Sequence, residues 1–155
     1  MEAARVDYQF EGAARTRASG RQHTGVAAAT CVAAALSVAG AMIHAYMMPQ
    51  HFAEWWGYGV FFLISTLAQG VGAIALAGWP RRSLFLVVVA GNLLILIVWA
   101  LSRTVGTPLF GPGAGEVEPI GLLDVVCAVV EGLTVVLLAV LAVVPEADGE
   151  PAAGA

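Results

Sequence analysis

The sequence predicts an all-α fold, a transmembrane bundle of four antiparallel helices. Four stretches, at residues 25–47, 57–78, 83–101 and 120–144, are each long and apolar enough to cross a bilayer, which takes roughly 20 apolar residues in a helix. Hydrophobic residues make up 59% of the 155-residue chain and charged residues only 12%, with a mean hydropathy of +0.84. That composition excludes an ordinary soluble domain. The apolar runs are continuous and do not alternate, which argues against a β-barrel.

The first span follows residues 1–24, which we expect to be a disordered cytoplasmic tail. Small side chains recur at every fourth position of this span and would let a neighbouring backbone approach closely, which is how helices associate in lipid. The contact can form inside the bundle, with a membrane-protein partner or between two copies, so a homo-oligomer is one expected assembly. The small residues are Ala29, Ala33, Ser37, Ala41 and Ala45.

Three connections join the remaining spans. Residues 48–56 are expected to form the first loop, which ends in two tryptophans typical of a membrane interface. Pro80 and the adjacent pair Arg81-Arg82 predict a tight turn between the second and third spans. Residues 102–119 are rich in proline and glycine, which favours either a defined set of turns or a mobile strap.

The arginines predict how the bundle is oriented. Of the seven, four precede the first span, two lie in the turn after the second span, and only Arg103 lies on the opposite side. By the positive-inside rule, both termini are expected in the cytoplasm. Residues 145–155 then form a disordered acidic tail on the same side. Because the cations lie beside the spans as topology anchors, nucleic-acid binding is not expected.

One hydrogen-bonding side chain from each span is expected near the middle of the bilayer. Counting inward at 1.5 Å per residue places all four at a similar depth. An ionised carboxylate there costs at least about 2.5–3.5 kcal/mol, so we expect Glu131 to be neutral or to face a cavity or a partner. No basic residue is expected at its depth. The four residues, Ser37, Gln69, Asn92 and Glu131, predict either interhelical hydrogen bonds or, at Glu131, a proton or ion site.

A second group of polar residues lies at the outer end of the first span and in the loop after it. Imidazole with carboxylate is a common ligand set for zinc, iron and copper(II), while thioethers with imidazole favour copper(I). We therefore predict a site for copper, zinc, iron or another small cation. The spacing is not that of a tight metal motif, so a buried neutral histidine and an interfacial histidine are the alternatives. The predicted ligands are His44, Met47, Met48, His51 and Glu54.

Two further charged residues lie at the same end. Asp124 is placed one turn inside the fourth span, and Arg103 is the lone outer cation. We expect them to form a buried ion pair that joins the third span to the fourth, and Asp124 is also a candidate ion or proton site beside Glu131. The alternative for Arg103 is capture of an anionic headgroup or a carboxylate substrate.

The sequence predicts no catalytic residue. It contains no serine-nucleophile elbow, phosphate-binding glycine loop or c-type haem motif, so it favours a protein that is not an enzyme. Cys31 and Cys127 lie in different spans near opposite membrane faces, and we expect small buried apolar side chains that do not pair.

Two runs of the sequence are similar to segments of known proteins. They are residues 51–62 with Gln69, and residues 99–108 with Gly111, Pro112, Glu118, Gly121 and Asp124. In these runs the chain resembles uncharacterised small four-span membrane proteins of high-GC actinobacteria, and the absence of lysine suits such a genome. The resemblance implies a bacterial plasma-membrane setting and no particular activity.

Three functions follow from these residues. The first is binding of a transition metal or small cation at the outer end, with Glu131 as a proton- or ion-linked continuation of the site. The second is a non-catalytic membrane scaffold or accessory subunit, in which the same residues hold the helices together. The third is a proton-coupled carrier that uses Glu131.

Overall fold

The computed structural model describes residues 2–106 and 111–144, with side chains from Arg17 onward except at residue 18. Every regular element in these ranges is an α-helix. The elements are α1 (Glu2–Glu54), α2 (Trp56–Gly78), α3 (Arg82–Thr104) and α4 (Leu122–Val143). The predicted all-α fold with four helices is confirmed.

Each helix contains a segment long and apolar enough to cross a membrane. In α1 this segment is Ser19–Glu54, and in the other three it is the whole helix; an 18-residue window within each has a mean hydropathy between 2.0 and 2.8. Leucine, valine and isoleucine side chains point outward along all four helices. An outer surface of this kind suits lipid and not water, and it supports a multi-pass membrane protein.

The longest helix departs from the sequence-based expectations at both ends. Its backbone is helical from Glu2, where the sequence predicts a disordered tail over residues 1–24; that stretch is rich in alanine, arginine and glutamate, which are good helix formers. At the other end α1 continues through Pro49 to Glu54. The predicted loop at residues 48–56 is therefore wrong, and only Trp55 separates α1 from α2.

The other helix ends lie close to their predicted positions. The tight turn around Pro80 is confirmed, because α2 ends at Gly78 and α3 begins at Arg82. α4 begins at Leu122, where the Gly121 N–H donates to Asp124 Oδ2 over 2.8 Å. The acidic tail predicted at residues 145–155 lies outside the described residues.

Packing divides the bundle into an apolar half and a polar half. α1 contacts α2 and α4, α3 contacts α4, and the α2–α3 contact is the smallest. The apolar half lies near Trp79, where α2 ends, and its buried side chains include Leu76, Phe85 and Leu138. The small-residue stripe of α1 faces this interior, with Ala33, Ser37 and Ala41 buried. The polar half lies toward Trp55, and it positions the candidate site.

Candidate metal centre

The centre of the polar half is a contact between α1 and α4. His44 Nε2 lies 2.8 Å from Glu131 Oε1, and the two residues are only 5% and 2% exposed. The expectation that no basic residue shares the depth of Glu131 is therefore wrong. It failed because α1 ends at Glu54 and not near residue 47, so His44 lies about 15 Å inside the helix end at 1.5 Å per residue.

Cys127 completes a group of three ligand-type side chains. Its Sγ lies 3.7 Å from His44 Nε2 and 3.7 Å from Glu131 Oε1. One ligand atom from each of His44, Cys127 and Glu131 lies within 4.8 Å of the other two. The prediction that the cysteines are buried is confirmed for Cys127 and wrong for Cys31, which is exposed, and the sequence did not identify Cys127 as a ligand. The signal was the i, i+4 spacing with Glu131, which puts both side chains on one helix face.

A hydrogen-bond network from α2 and α3 also reaches the Glu131 carboxylate. Gln69 Nε2 donates to Glu131 Oε1 over 3.1 Å and to Asn92 Oδ1 over 3.2 Å. Asn92 Nδ2 donates to the main-chain carbonyl of Val88, and the Ser37 hydroxyl donates to the main-chain carbonyl of Gln69 over 2.8 Å. The predicted polar layer of one residue from each helix is confirmed as a connected network.

Gly40 makes room for this network. A Cβ atom at Gly40 would lie 2.7 Å from Gln69 Oε1 and 3.0 Å from its Nε2. Real Cβ atoms do not approach other heavy atoms so closely, so a side chain at this position would push the Gln69 amide away from its place beside Glu131. The close approach of α1 and α2 at Gly40 is thus part of how the site is positioned.

The other predicted ligands lie farther toward the helix ends. His51 Nδ1 lies 3.1 Å from Glu54 Oε2, and the Glu54 side chain is 44% exposed. The His51 ring stacks on Phe62 with centroids 3.9 Å apart, and His44 meets the same ring edge-on. Of the five predicted metal ligands, only His44 belongs to the three-residue group. Metal binding by His51, Glu54, Met47 and Met48 stays a prediction.

A cavity of about 300 Å³ connects the three-residue group to the Trp55 end of the bundle. His44, Cys127 and Glu131 line its inner part, and Met47 and His51 line it farther out. The group therefore borders an internal space that small molecules or ions can occupy.

Arg103 lies at the outer part of this cavity and joins α3 to α4. Its guanidinium contacts Asp124 Oδ2 at 3.1 Å and also the Glu118 carboxylate. The predicted Arg103–Asp124 ion pair is confirmed. Asp124 additionally caps the first turn of α4, and Glu118 is a partner that the sequence did not predict. Asp124 and Arg103 are separate from the network around Gln69.

Comparison with protein-family models, curated proteins and solved structures finds no match. The chemistry open to the centre is that of its own side chains. A tetrahedral metal with ligand bonds of about 2.0–2.3 Å separates neighbouring ligand atoms by about 3.5 Å. The two sulfur distances of 3.7 Å match that spacing, and the His44–Glu131 hydrogen bond would open by less than an ångström to admit an ion.

Proposed function

We propose that this chain is a multi-pass protein of the bacterial plasma membrane that binds a divalent transition-metal cation at His44, Cys127 and Glu131. The observation that carries the proposal is the convergence of an imidazole, a thiol and a carboxylate within 4.8 Å of one another in a buried position. Imidazole, thiolate and carboxylate are all ligands of zinc, and each is also used by iron and copper(II).

Charge balance favours a divalent ion. A neutral imidazole, a thiolate and a carboxylate together carry two negative charges, so a divalent cation makes the whole group neutral. A net charge deep in a membrane protein raises its free energy. Copper(I) would leave one negative charge on this ligand set, so it is disfavoured. Zinc is the first candidate because three protein ligands and one open position suit its tetrahedral geometry. The open position would face the cavity.

The proposed orientation has antiparallel helices with both termini in the cytoplasm. The single residue between α1 and α2 and the short turn between α2 and α3 support antiparallel neighbours. The excess of arginines before the first span and in the α2–α3 turn supports cytoplasmic termini. The cavity then opens toward the outer face of the membrane, and the metal would reach the centre from that side.

Metal analysis of the purified protein tests the proposal. After incubation with zinc and removal of the excess, we expect equimolar zinc in the wild-type protein in detergent. Cys127→Ser and His44→Gln should lose it. Cys31→Ser is the matched control, because Cys31 is exposed on α1 and distant from the centre. Cobalt(II) should give a thiolate-to-metal absorption band that Cys127→Ser abolishes. Wild-type protein without bound metal, or equal zinc in Cys127→Ser, would refute the proposal.

One observation favours a second candidate, a proton-coupled carrier. The direct contact between His44 Nε2 and Glu131 Oε1 is a pair that can share and pass a proton. This candidate predicts proton flux in proteoliposomes that Glu131→Gln abolishes and that chelators leave unchanged. Flux that depends on added zinc, or equal flux in Glu131→Gln, would rule it out.

A further inference from the structure

The cavity extends well beyond the three metal ligands. Its volume of about 300 Å³ falls at the lower end of the range for small-molecule sites. It begins at Glu131 and reaches Trp55, Arg103 and Glu118 at the end of the bundle. A single bound ion would fill only its inner part, so the outer part has room for an organic molecule.

The walls of the outer part are mainly aromatic and aliphatic. The lining includes Phe61 and Phe62 of α2, Ile95 and Val98 of α3, and Leu123 of α4. Flat aromatic walls favour a flat ring, which can stack or pack edge-on against them. The aromatic side chains that line the cavity are Trp55, Tyr58, Phe61, Phe62 and Trp99.

Two hydrogen-bond donors in this wall have no acceptor. Trp99 Nε1 and Arg103 Nε are buried, and neither has a hydrogen-bond partner within the ranges that the structure describes. Both groups can only donate. Leaving such a donor buried and unpaired is unfavourable, so an occupant that brings an acceptor oxygen would bind better than a hydrocarbon of the same shape.

The charge around Arg103 argues against an anionic occupant. Its guanidinium already contacts two carboxylates, those of Glu118 and Asp124. The three groups together carry one net negative charge when ionised, which would repel a further anion. The acceptor therefore belongs to a neutral group, and a carbonyl oxygen is the common neutral acceptor. A cavity inside apolar helices is reached most easily by a molecule that dissolves in lipid.

We propose that the outer part of this cavity binds a neutral, planar, lipid-soluble molecule with ring carbonyls, of the quinone class, and that the Trp99 indole N–H donates to one carbonyl. The proposal rests on the cavity walls and the two unpaired donors, and it does not depend on metal binding at His44, Cys127 and Glu131. It assigns a binding site and no reaction.

Paired ligands and paired variants test this site. Duroquinone and durene share a ring with four methyl groups and differ only in the two carbonyls, and the fully substituted quinone does not add to the Cys127 thiol. Binding is measured by calorimetry on the full chain in detergent, with empty micelles as the blank. We expect duroquinone to bind more tightly than durene. Trp99→Phe should weaken duroquinone binding about threefold to tenfold, the value of one hydrogen bond, and leave durene unchanged.

Two further variants control for folding and for location. Trp79→Phe changes an exposed tryptophan at the opposite end of α2 and should bind both ligands like the wild type. Ala128→Leu adds volume to the cavity wall and should weaken both ligands equally. The site is refuted if duroquinone binds no better than durene, or if Trp99→Phe keeps the full preference for duroquinone. Measuring zinc content on the same samples separates the outcomes, since either ligand can bind without the other.

Discussion

The close approach at Gly40 makes a quantitative prediction about the polar network. Gly40→Ala places a methyl group where the Gln69 amide now lies, 2.7 Å from Oε1. The amide must move, and its hydrogen bonds to Glu131 and Asn92 are lost. In membrane proteins such bonds contribute about 0.6–1.7 kcal/mol each, so the collision should lower the free energy of unfolding by about 1–3 kcal/mol.

A matched substitution removes the contribution of helix propensity. Replacing glycine by alanine inside a helix is worth up to about 1 kcal/mol by itself, and this gain partly conceals the cost at Gly40. Gly132→Ala is the control, because Gly132 lies in α4 next to Glu131 and a Cβ there meets no atom within 4 Å. The difference in unfolding free energy between the two variants should therefore equal the cost of the collision.

The assay is reversible unfolding in mixed micelles of mild detergent and dodecyl sulfate, followed by circular dichroism. A Gln69→Ala background provides a double-mutant cycle. In the Gln69→Ala background, Gly40→Ala should cost no more than Gly132→Ala, because the three atoms nearest to the added methyl group all belong to the Gln69 amide. Equal stability of Gly40→Ala and Gly132→Ala in the wild-type background would refute the reasoning, as would a cost at Gly40 that persists without Gln69.

Three other predictions concern the ion pair, the thiol and the proline. Arg103→Gln should lower the free energy of unfolding by about 1.5–3 kcal/mol, since two carboxylates lose a charged hydrogen-bond partner; Arg81→Gln, in the exposed α2–α3 turn, should leave the thermal midpoint unchanged. Zinc should slow alkylation of Cys127 by a membrane-permeant maleimide, as measured by mass spectrometry of the peptides, and leave Cys31 unaffected; equal protection of both thiols would contradict the ligand assignment. Pro49→Ala should raise the free energy of unfolding by up to about 3 kcal/mol, because Pro49 lies inside α1 and not in a loop; an unchanged dodecyl sulfate midpoint would contradict that helix boundary.

The metal proposal also gives the polar network a physical role. A ligating carboxylate is held in place by hydrogen bonds from outside the metal sphere, and such partners affect affinity strongly. Gln69 makes that contact to Glu131, and it is itself held by Asn92 and by the close packing at Gly40. One arrangement thus contains both the predicted interhelical contacts, at Ser37, Gln69 and Asn92, and the predicted functional acid, Glu131.

Local patterns in the chain were enough to predict the four apolar segments, the four polar residues within them and the Arg103–Asp124 pair. Each follows from the free energy of placing particular side chains in lipid, which can be read from a short stretch of sequence. An apolar segment of about 20 residues can cross the membrane whatever the neighbouring segments are. A polar side chain inside such a segment is unfavourable unless it contacts another polar group, so it packs toward the other polar side chains. Arg103 is the only arginine expected at that end, so Asp124 inside the fourth span has no other arginine to pair with there.

The set of residues that meet at the centre depends on how the helices pack. The pairing of His44 with Glu131 depends on where α1 ends, and the loop predicted at residues 48–56 placed that end too early. Cys127 lies beside Glu131 because of their i, i+4 spacing on α4, whereas its contact with His44 of α1 depends on the rotation of α4 about its own axis. Helix length and helix rotation are set by contacts between segments distant in the chain, so the pattern within one segment does not contain them.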